Sequence, residues 1–234
     1  MNDMPEELSY PNLYLCGKAG SGKSTVANML VSEFGYRRAA LADGVKLGAE
    51  MLLRNLDDAT RYIDSLFDED KHLFENMKAL KLYKENWDRW LNTIYSRSYI
   101  GRGGTNNYIT PRVAKKDYRE FMQWWGTDVC RTLDAGVWIR YYFNNNFFFE
   151  SPTVCDDVRF SNEEYVMCCA YQFTGIHITC DTISTPASLT DTQAAHESEQ
   201  YEPKYCKYAI HNDGDLEQLN SRLHEIIEEI TNNE

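Results

Sequence analysis

The sequence predicts an α/β fold with a mostly parallel sheet flanked by helices, and three observations predict it. A Gly-rich stretch, "GKAGSGKST" (Gly17 to Thr25), lies between a short apolar run and a segment with helical spacing. Further short apolar runs, "TVCDD", "GIHITC" and "KYAIHN", alternate with segments of helical period along the rest of the chain. The 234 residues, 43% of them hydrophobic, suffice for one substantial core, so a single domain over 1–234 is expected.

In chain order, Leu13 to Cys16 reads as a buried first strand, and Val26, Ala27, Leu30, Val31 and Phe34 give the following helix its apolar positions. "YRRAALADG" reads as a second strand ending at Asp43, and "VKLGAEMLLRNL" begins another helix. Residues 57–118 read as a helical and looped insertion on the substrate side. "DYREFMQWWGTDVCRTL" is helical, and "TVCDD" is a strand closing on Asp156 and Asp157. Ser161 and Glu164 have the spacing of a capping box at a helix start. "GIHITC" and "KYAIHN" are strands, residues 181–203 form a loop, and "DLEQLNSRLHEIIEEI" closes the chain as an amphipathic helix.

Charge excludes some functions. A formal net charge of −12 disfavours a non-specific grip on nucleic acid, which requires a basic surface. No long apolar span or signal segment is visible, so neither a membrane nor export is expected, and the seven cysteines have no CxxC spacing. A reduced, cytoplasmic chain follows, with cysteines acting as small core residues.

The most informative stretch is G-x-x-x-x-G-K-S, with Gly17, Gly22, Lys23 and Ser24 in the Walker A pattern. Glycines let backbone N–H groups turn inward around phosphate oxygens at a helix N-terminus, where the dipole favours anions. Gly17, Lys18, Ala19, Gly20, Ser21, Gly22, Lys23, Ser24 and Thr25 are therefore expected to bind ATP, with Lys23 on the outer phosphates and Ser24 on Mg²⁺. Asp156 and Asp157 are the candidate carboxylates for the same ion. Arg159, two residues on, is placed to clamp a phosphate.

Between Ser96 and Arg119 stand six basic residues (Arg97, Arg102, Arg112, Lys115, Lys116, Arg119) against one acid, Asp117, which marks an anion site in an acidic chain. Arg119, Gln123 and Gly126 share one helical stripe, able to offer a guanidinium fork and an amide edge to an acceptor.

Together these blocks resemble the bacteriophage-type deoxynucleoside monophosphate kinases, P-loop enzymes related in fold to adenylate and guanylate kinases. The resemblance runs through the Gly-rich loop, "LADGVK", "REFMQWWGTDVCR", Trp138, "DDVRFSNE", "HESE" and "IHNDGDLEQL". It implies a P-loop kinase fold and transfer of the γ-phosphoryl group of ATP, with Mg²⁺, to a deoxynucleoside monophosphate. It further implies that Arg119, Gln123, Arg131 and Arg159 face the acceptor or the transferring group, and that Asp43 and Lys46 lie near the acceptor, with Asp157 beside them. Lys23, Arg131 and Arg159 are the catalytic candidates, because an ionised attacking phosphate needs alignment and charge neutralisation rather than a strong base. Arg140, in "GVWIRYY", is a weaker candidate for the same charge. A dephospho-coenzyme A kinase or a nucleotide-dependent switch protein are the alternatives.

One departure concerns the 181–203 loop. It holds no Lys or Arg but five acids, Asp181, Asp191, Glu197, Glu199 and Glu202, so it cannot supply a lid arginine. It is expected to act as a cover or a binding edge, with His196 and Ser198 fixing its conformation. The sequence leaves open which base is accepted, ribose against deoxyribose, and whether two copies pair.

Overall fold

The computed structural model describes residues 10–47, 122–132, 134–146, 151–181 and 197–232. These divide into two compact units, Met1–Ala40 with Asn145–Glu234, and Leu41–Asn144.

The first unit is built on five parallel strands, β1 (Leu13–Cys16), β2 (Arg37–Ala39), β3 (Thr153–Cys155), β4 (Thr174–Thr179) and β5 (Tyr208–His211), in the order β2-β3-β1-β4-β5. Leu13 pairs with Val154 on one side and with Thr174 on the other, so β1 is central. Every residue of β1 is buried, as expected of a parallel strand covered on both faces. Leu13 and Leu15 join Val26, Ala27 and Leu30 of α1 (Lys23–Phe34) in one core. The closing helix, Leu216–Asn232, adds Leu219, Leu223, Ile226, Ile227 and Ile230 to that core, one apolar stripe at helical period. Tyr14 alternates to the opposite face, where its hydroxyl reaches Glu164 at 3.4 Å. α1 ends at Gly35, whose φ of 72° satisfies a left-handed cap that a side chain would strain.

Three readings of the sequence are corrected here. The second strand stops at Ala39, and Asp43 lies instead on a helical turn over residues 42–47. β3 stops at Cys155, so Asp156 and Asp157 belong to the loop that follows it. Ser161 and Glu164 form no capping box: Phe160 is the N-cap of the helix Ser161–Tyr165, without a side-chain cap, and Glu164 is turned into the core. The end of this helix widens to π-helical turns over Val166–Ala170.

In the second unit, the segment read as helical from "DYREFMQWWGTDVCRTL" is helical over 122–132 but π-helical over Trp124–Arg131. The wider turn breaks the α-helical stripe that would align Gln123 with Gly126. Gly126 is a packing residue, since a Cβ there would lie 2.9 Å from Val45 Cγ1. Its carbonyl also accepts the Trp138 indole N–H at 2.8 Å from the helix Val137–Asn146. Gly44 is likewise enforced, because a Cβ would meet Tyr141 at 2.7 Å and Trp138 at 2.9 Å. Arg119, the remaining basic residues of 96–119 and the insertion over 57–118 lie outside the described residues, as do His196 and the tip of the 181–203 loop.

Candidate functional site

The chain leaves β1 toward β2 on one side, while the adjacent β4 leads to β5 on the other. Crevices at such switch points, outside the carboxyl ends of parallel strands, are where open α/β sheets bind ligands. Residues 17–22 occupy that position, directly after β1. Gly17, Gly20 and Gly22 have φ values of 142°, 85° and 104°, a backbone path that L side chains rarely take. Space demands two of them as well. A Cβ on Gly17 would collide with the Ile178 carbonyl oxygen at the end of β4 and stand 2.8 Å from the Ser21 hydroxyl. One on Gly22 would strike the Asn212 amide.

Asn212, just after β5, donates from Nδ2 to the Ser21 carbonyl at 3.0 Å and so ties the loop to the next strand. The Lys23 ammonium donates to the carbonyls of Gly17 at 2.6 Å and Lys18 at 2.7 Å, folded over the loop it follows. Lys23 is buried, and its charge is met by loop dipoles.

Ser24 and Asp156, separated by 132 residues, come together here: the serine hydroxyl donates to Asp156 Oδ2 at 3.4 Å. Asp156 is only 5% exposed and shares the same oxygen with the Arg38 guanidinium, a short contact from β2. Arg38 is held in turn by Asn28 at 2.9 Å. Asp157 points elsewhere and accepts the Cys155 thiol at 3.5 Å. Of the two aspartates proposed for a cation, Asp156 is the one beside Ser24. A hydroxyl and a carboxylate are hard oxygen donors that suit Mg²⁺, an ion that keeps several waters and needs few protein ligands.

Arg159 is paired rather than open. Its guanidinium Nη1 donates to Glu199, and its backbone N–H donates to Glu163 at 2.9 Å. Glu199 stands on a short helix, Glu197–Gln200, so the expected 181–203 loop is helical at this end. The other Glu199 oxygen accepts the Ala19 N–H of the Gly-rich loop at 3.1 Å. Lys18 and Glu202 add an exposed ion pair at 3.3 Å. The acidic segment, expected to supply no lid arginine and to act as a cover or a binding edge, contacts the loop and the arginine directly. Of the two residues expected to fix it, His196 and the Ser198 side chain lie outside what the structure describes.

Beneath this segment, Glu164 is fully buried and takes donors from the Tyr201 hydroxyl, the Lys204 N–H at 2.9 Å and the Tyr205 N–H at 2.7 Å. Burial first, then the bond to Glu164, pushes the Tyr201 hydroxyl well above its ordinary pKa. Cys16 is also held as a thiol, its pKa raised by a hydrogen bond with Cys206 and by burial. His177 of β4 is shifted down, chiefly by burial, with Lys18 and Lys23 adding to the effect and Glu202 and Glu164 opposing it.

Within the second unit, Lys46 donates to Asp43 at 2.7 Å, so these two acceptor candidates pair with each other. Arg140 pairs with Asp134, and the charge of Arg131 also acts on Asp134. The buried Gln123 Nε2 finds no hydrogen-bond partner among the described residues.

Sequence reasoning missed Arg38, Asn212, Glu163 and Glu199. Glu163, Glu199 and Asn212 lay in stretches singled out beforehand, "DDVRFSNE", "HESE" and "IHNDGDLEQL". No family model matches the chain, and no curated protein is significantly similar to it. Among the described residues, no helix is long and apolar enough to cross a membrane.

Proposed function

We propose that the chain is an ATP-dependent phosphotransferase that moves the γ-phosphoryl group onto a (deoxy)nucleoside monophosphate, giving the diphosphate. One observation carries the reading: the Ser24 hydroxyl and the Asp156 carboxylate meet at the first turn of α1. That turn follows a loop of left-handed glycines at the switch point of a parallel sheet. This combination suits a triphosphate with its cation, because loop amides and the helix N-terminus favour phosphate oxygens while the oxygen pair favours Mg²⁺. Mg²⁺ held there by Ser24 and Asp156 would supply positive charge to offset that of the phosphates.

In this reading Lys23 exchanges the loop carbonyls for phosphate oxygens, a short swing for an ammonium already lying over the loop. Ser24 and Asp156 hold the cation, and Arg159 meets charge on the transferring group with donors not used on Glu199. Arg131 takes the second catalytic charge. The resemblance assigns Asp43, Lys46, Arg119, Gln123 and Asp157 to the acceptor, and the Gln123 Nε2, which has no partner among the described residues, favours recognition by hydrogen bonding.

The test is ADP release across common and modified deoxynucleoside and ribonucleoside monophosphates. ADP formation that depends on one class of monophosphate supports the reading. Equal ADP release with and without every monophosphate would replace it with slow ATP hydrolysis by a switch protein.

A further inference from the structure

The acidic segment 197–202 lies against the anion site in a protein whose proposed ligands are anions. Two roles of opposite sign are open to Glu199. As an internal anion it would compete with phosphate for Arg159 and the Ala19 amide. As a fixed support it would hold both in place for phosphate.

Three observations favour support. Glu199 is 6% exposed and bridges two separate elements, accepting Ala19 N–H at 3.1 Å through Oε2 and Arg159 through Oε1. If it let go, a buried carboxylate would lose its charged partner, a strongly unfavourable state. Next, the chain just beyond it is fastened: the buried Glu164 carboxylate accepts from the Tyr201 hydroxyl and the Lys204 and Tyr205 N–H groups. A competing anion must withdraw, and this one is mounted on an anchored segment. Finally, Arg159 is gripped at its backbone by Glu163 and at one guanidinium nitrogen by Glu199. An arginine carries five side-chain N–H donors, so this grip fixes the fork and leaves donors for a phosphate.

We propose that Glu199 is a positioning residue that holds Arg159 and the Gly-rich loop in a single arrangement, making residues 197–202 a fixed wall of the anion site. The inference rests on the phosphotransfer reading for its catalytic consequence, but its geometry is testable without any ligand.

The experiment uses the full chain as wild type, Glu199→Gln, Glu199→Ala, Arg159→Ala and Glu199→Gln/Arg159→Ala. Without ligand, amide hydrogen exchange at Ala19 is followed by NMR. Glu199→Ala is expected to speed it at least about tenfold relative to Ile178, whereas Glu199→Gln, which keeps an acceptor oxygen, changes it little. Should Glu199→Ala fail to fold, exchange at Ala19 in the wild type as fast as an unprotected amide overturns the wall, and slow exchange upholds it. With ATP and an accepted monophosphate, Glu199→Gln and Arg159→Ala are each expected to lower kcat about 10-fold to 10²-fold, and the double variant no further than Arg159→Ala alone. Wild-type kcat in Glu199→Gln, additive losses, or tighter ATP binding with kcat retained would each overturn the proposal. If the wild type makes no diphosphate from any monophosphate, the functional reading falls, while exchange at Ala19 still decides the wall.

Discussion

Replacing Gly17 by alanine, with Gly35→Ala as its control, separates two costs that left-handed glycines carry together. Both glycines have positive φ, 142° at Gly17 and 72° at Gly35. Around a Cβ at Gly35 there is nothing within 4 Å, so that substitution meets only the backbone penalty, about 1–2 kcal/mol. At Gly17 the same atom would press into the Ile178 carbonyl, 3.2 Å from its carbon, and stand 2.8 Å from the Ser21 hydroxyl. Ile178 lies inside β4, paired with Ile210, so it cannot yield as a flexible side chain would. Overpacking against such a partner typically adds about 1–3 kcal/mol. Gly17→Ala should therefore cost roughly 2–5 kcal/mol, or pull the loop off β4, and Gly35→Ala about 1–2 kcal/mol. Urea unfolding followed by tryptophan fluorescence gives the stabilities, and calorimetric titration with ATP and Mg²⁺ gives binding. Gly17→Ala should lose ATP binding while Gly35→Ala retains it. Equal stability and equal binding in the two variants would refute the claim that the loop's closeness to β4 shapes the site.

Lys23→Met should keep a melting temperature near wild type and lose about 10²-fold to 10³-fold in turnover, as for other single electrostatic contacts to a reacting group. A folded variant with more than a tenth of wild-type turnover contradicts that role. Glu164→Ala removes the acceptor of the part-buried N–H groups of Lys204 and Tyr205, and at no more than about 1–3 kcal/mol for each unsatisfied group should destabilise by at most roughly 2–6 kcal/mol in urea unfolding. A change below about 1 kcal/mol would mean that segment 201–205 is not anchored by it. His177 has a lowered pKa in the folded chain, so its neutral form supports folding in full above its ordinary value of 6.5. That support is lost as pH falls from 6.5 through the folded value, because only the unfolded chain takes the proton there. Stability measured from pH 7.5 to 5 should fall less in His177→Asn than in wild type, and identical slopes would contradict the assignment.

What the sequence made legible was whatever local period or local stereochemistry dictates. β1, α1, β4, β5 and the closing helix are written in apolar spacing, and the glycine loop in residues with no other reason to cluster. Ser24 was grouped with both Asp156 and Asp157 for one cation, and local pattern could not tell the two neighbouring carboxylates apart; Asp156 is the one that stands beside Ser24. Asp43 was misplaced because "AALADG" continues the apolar run of β2. The close approach of Gly44 to Tyr141 and Trp138, which goes with the helical turn, is a tertiary fact. Glu164 mimicked a capping box because S-x-x-E is a local pattern. Its partners stand about 40 residues downstream, where burial outweighs a cap at the surface. Glu199 lay in the "HESE" block, yet nothing local marked it as a contact: one acid among five looks like solvated charge until Arg159 and Ala19 are seen beside it. The π-helical turns of Trp124–Arg131 likewise have no period that distinguishes them in advance from an α-helix.

The most direct measurement of the central claim follows ATP carrying a radiolabelled γ-phosphate, mixed with the full chain, Mg²⁺ and the panel of nucleoside monophosphates. The account predicts that label appears in a nucleoside diphosphate, one equivalent per ADP formed, and that Ser24→Ala and Asp156→Asn each reduce this transfer sharply. Label found only in inorganic phosphate, at a rate indifferent to every monophosphate, would contradict it.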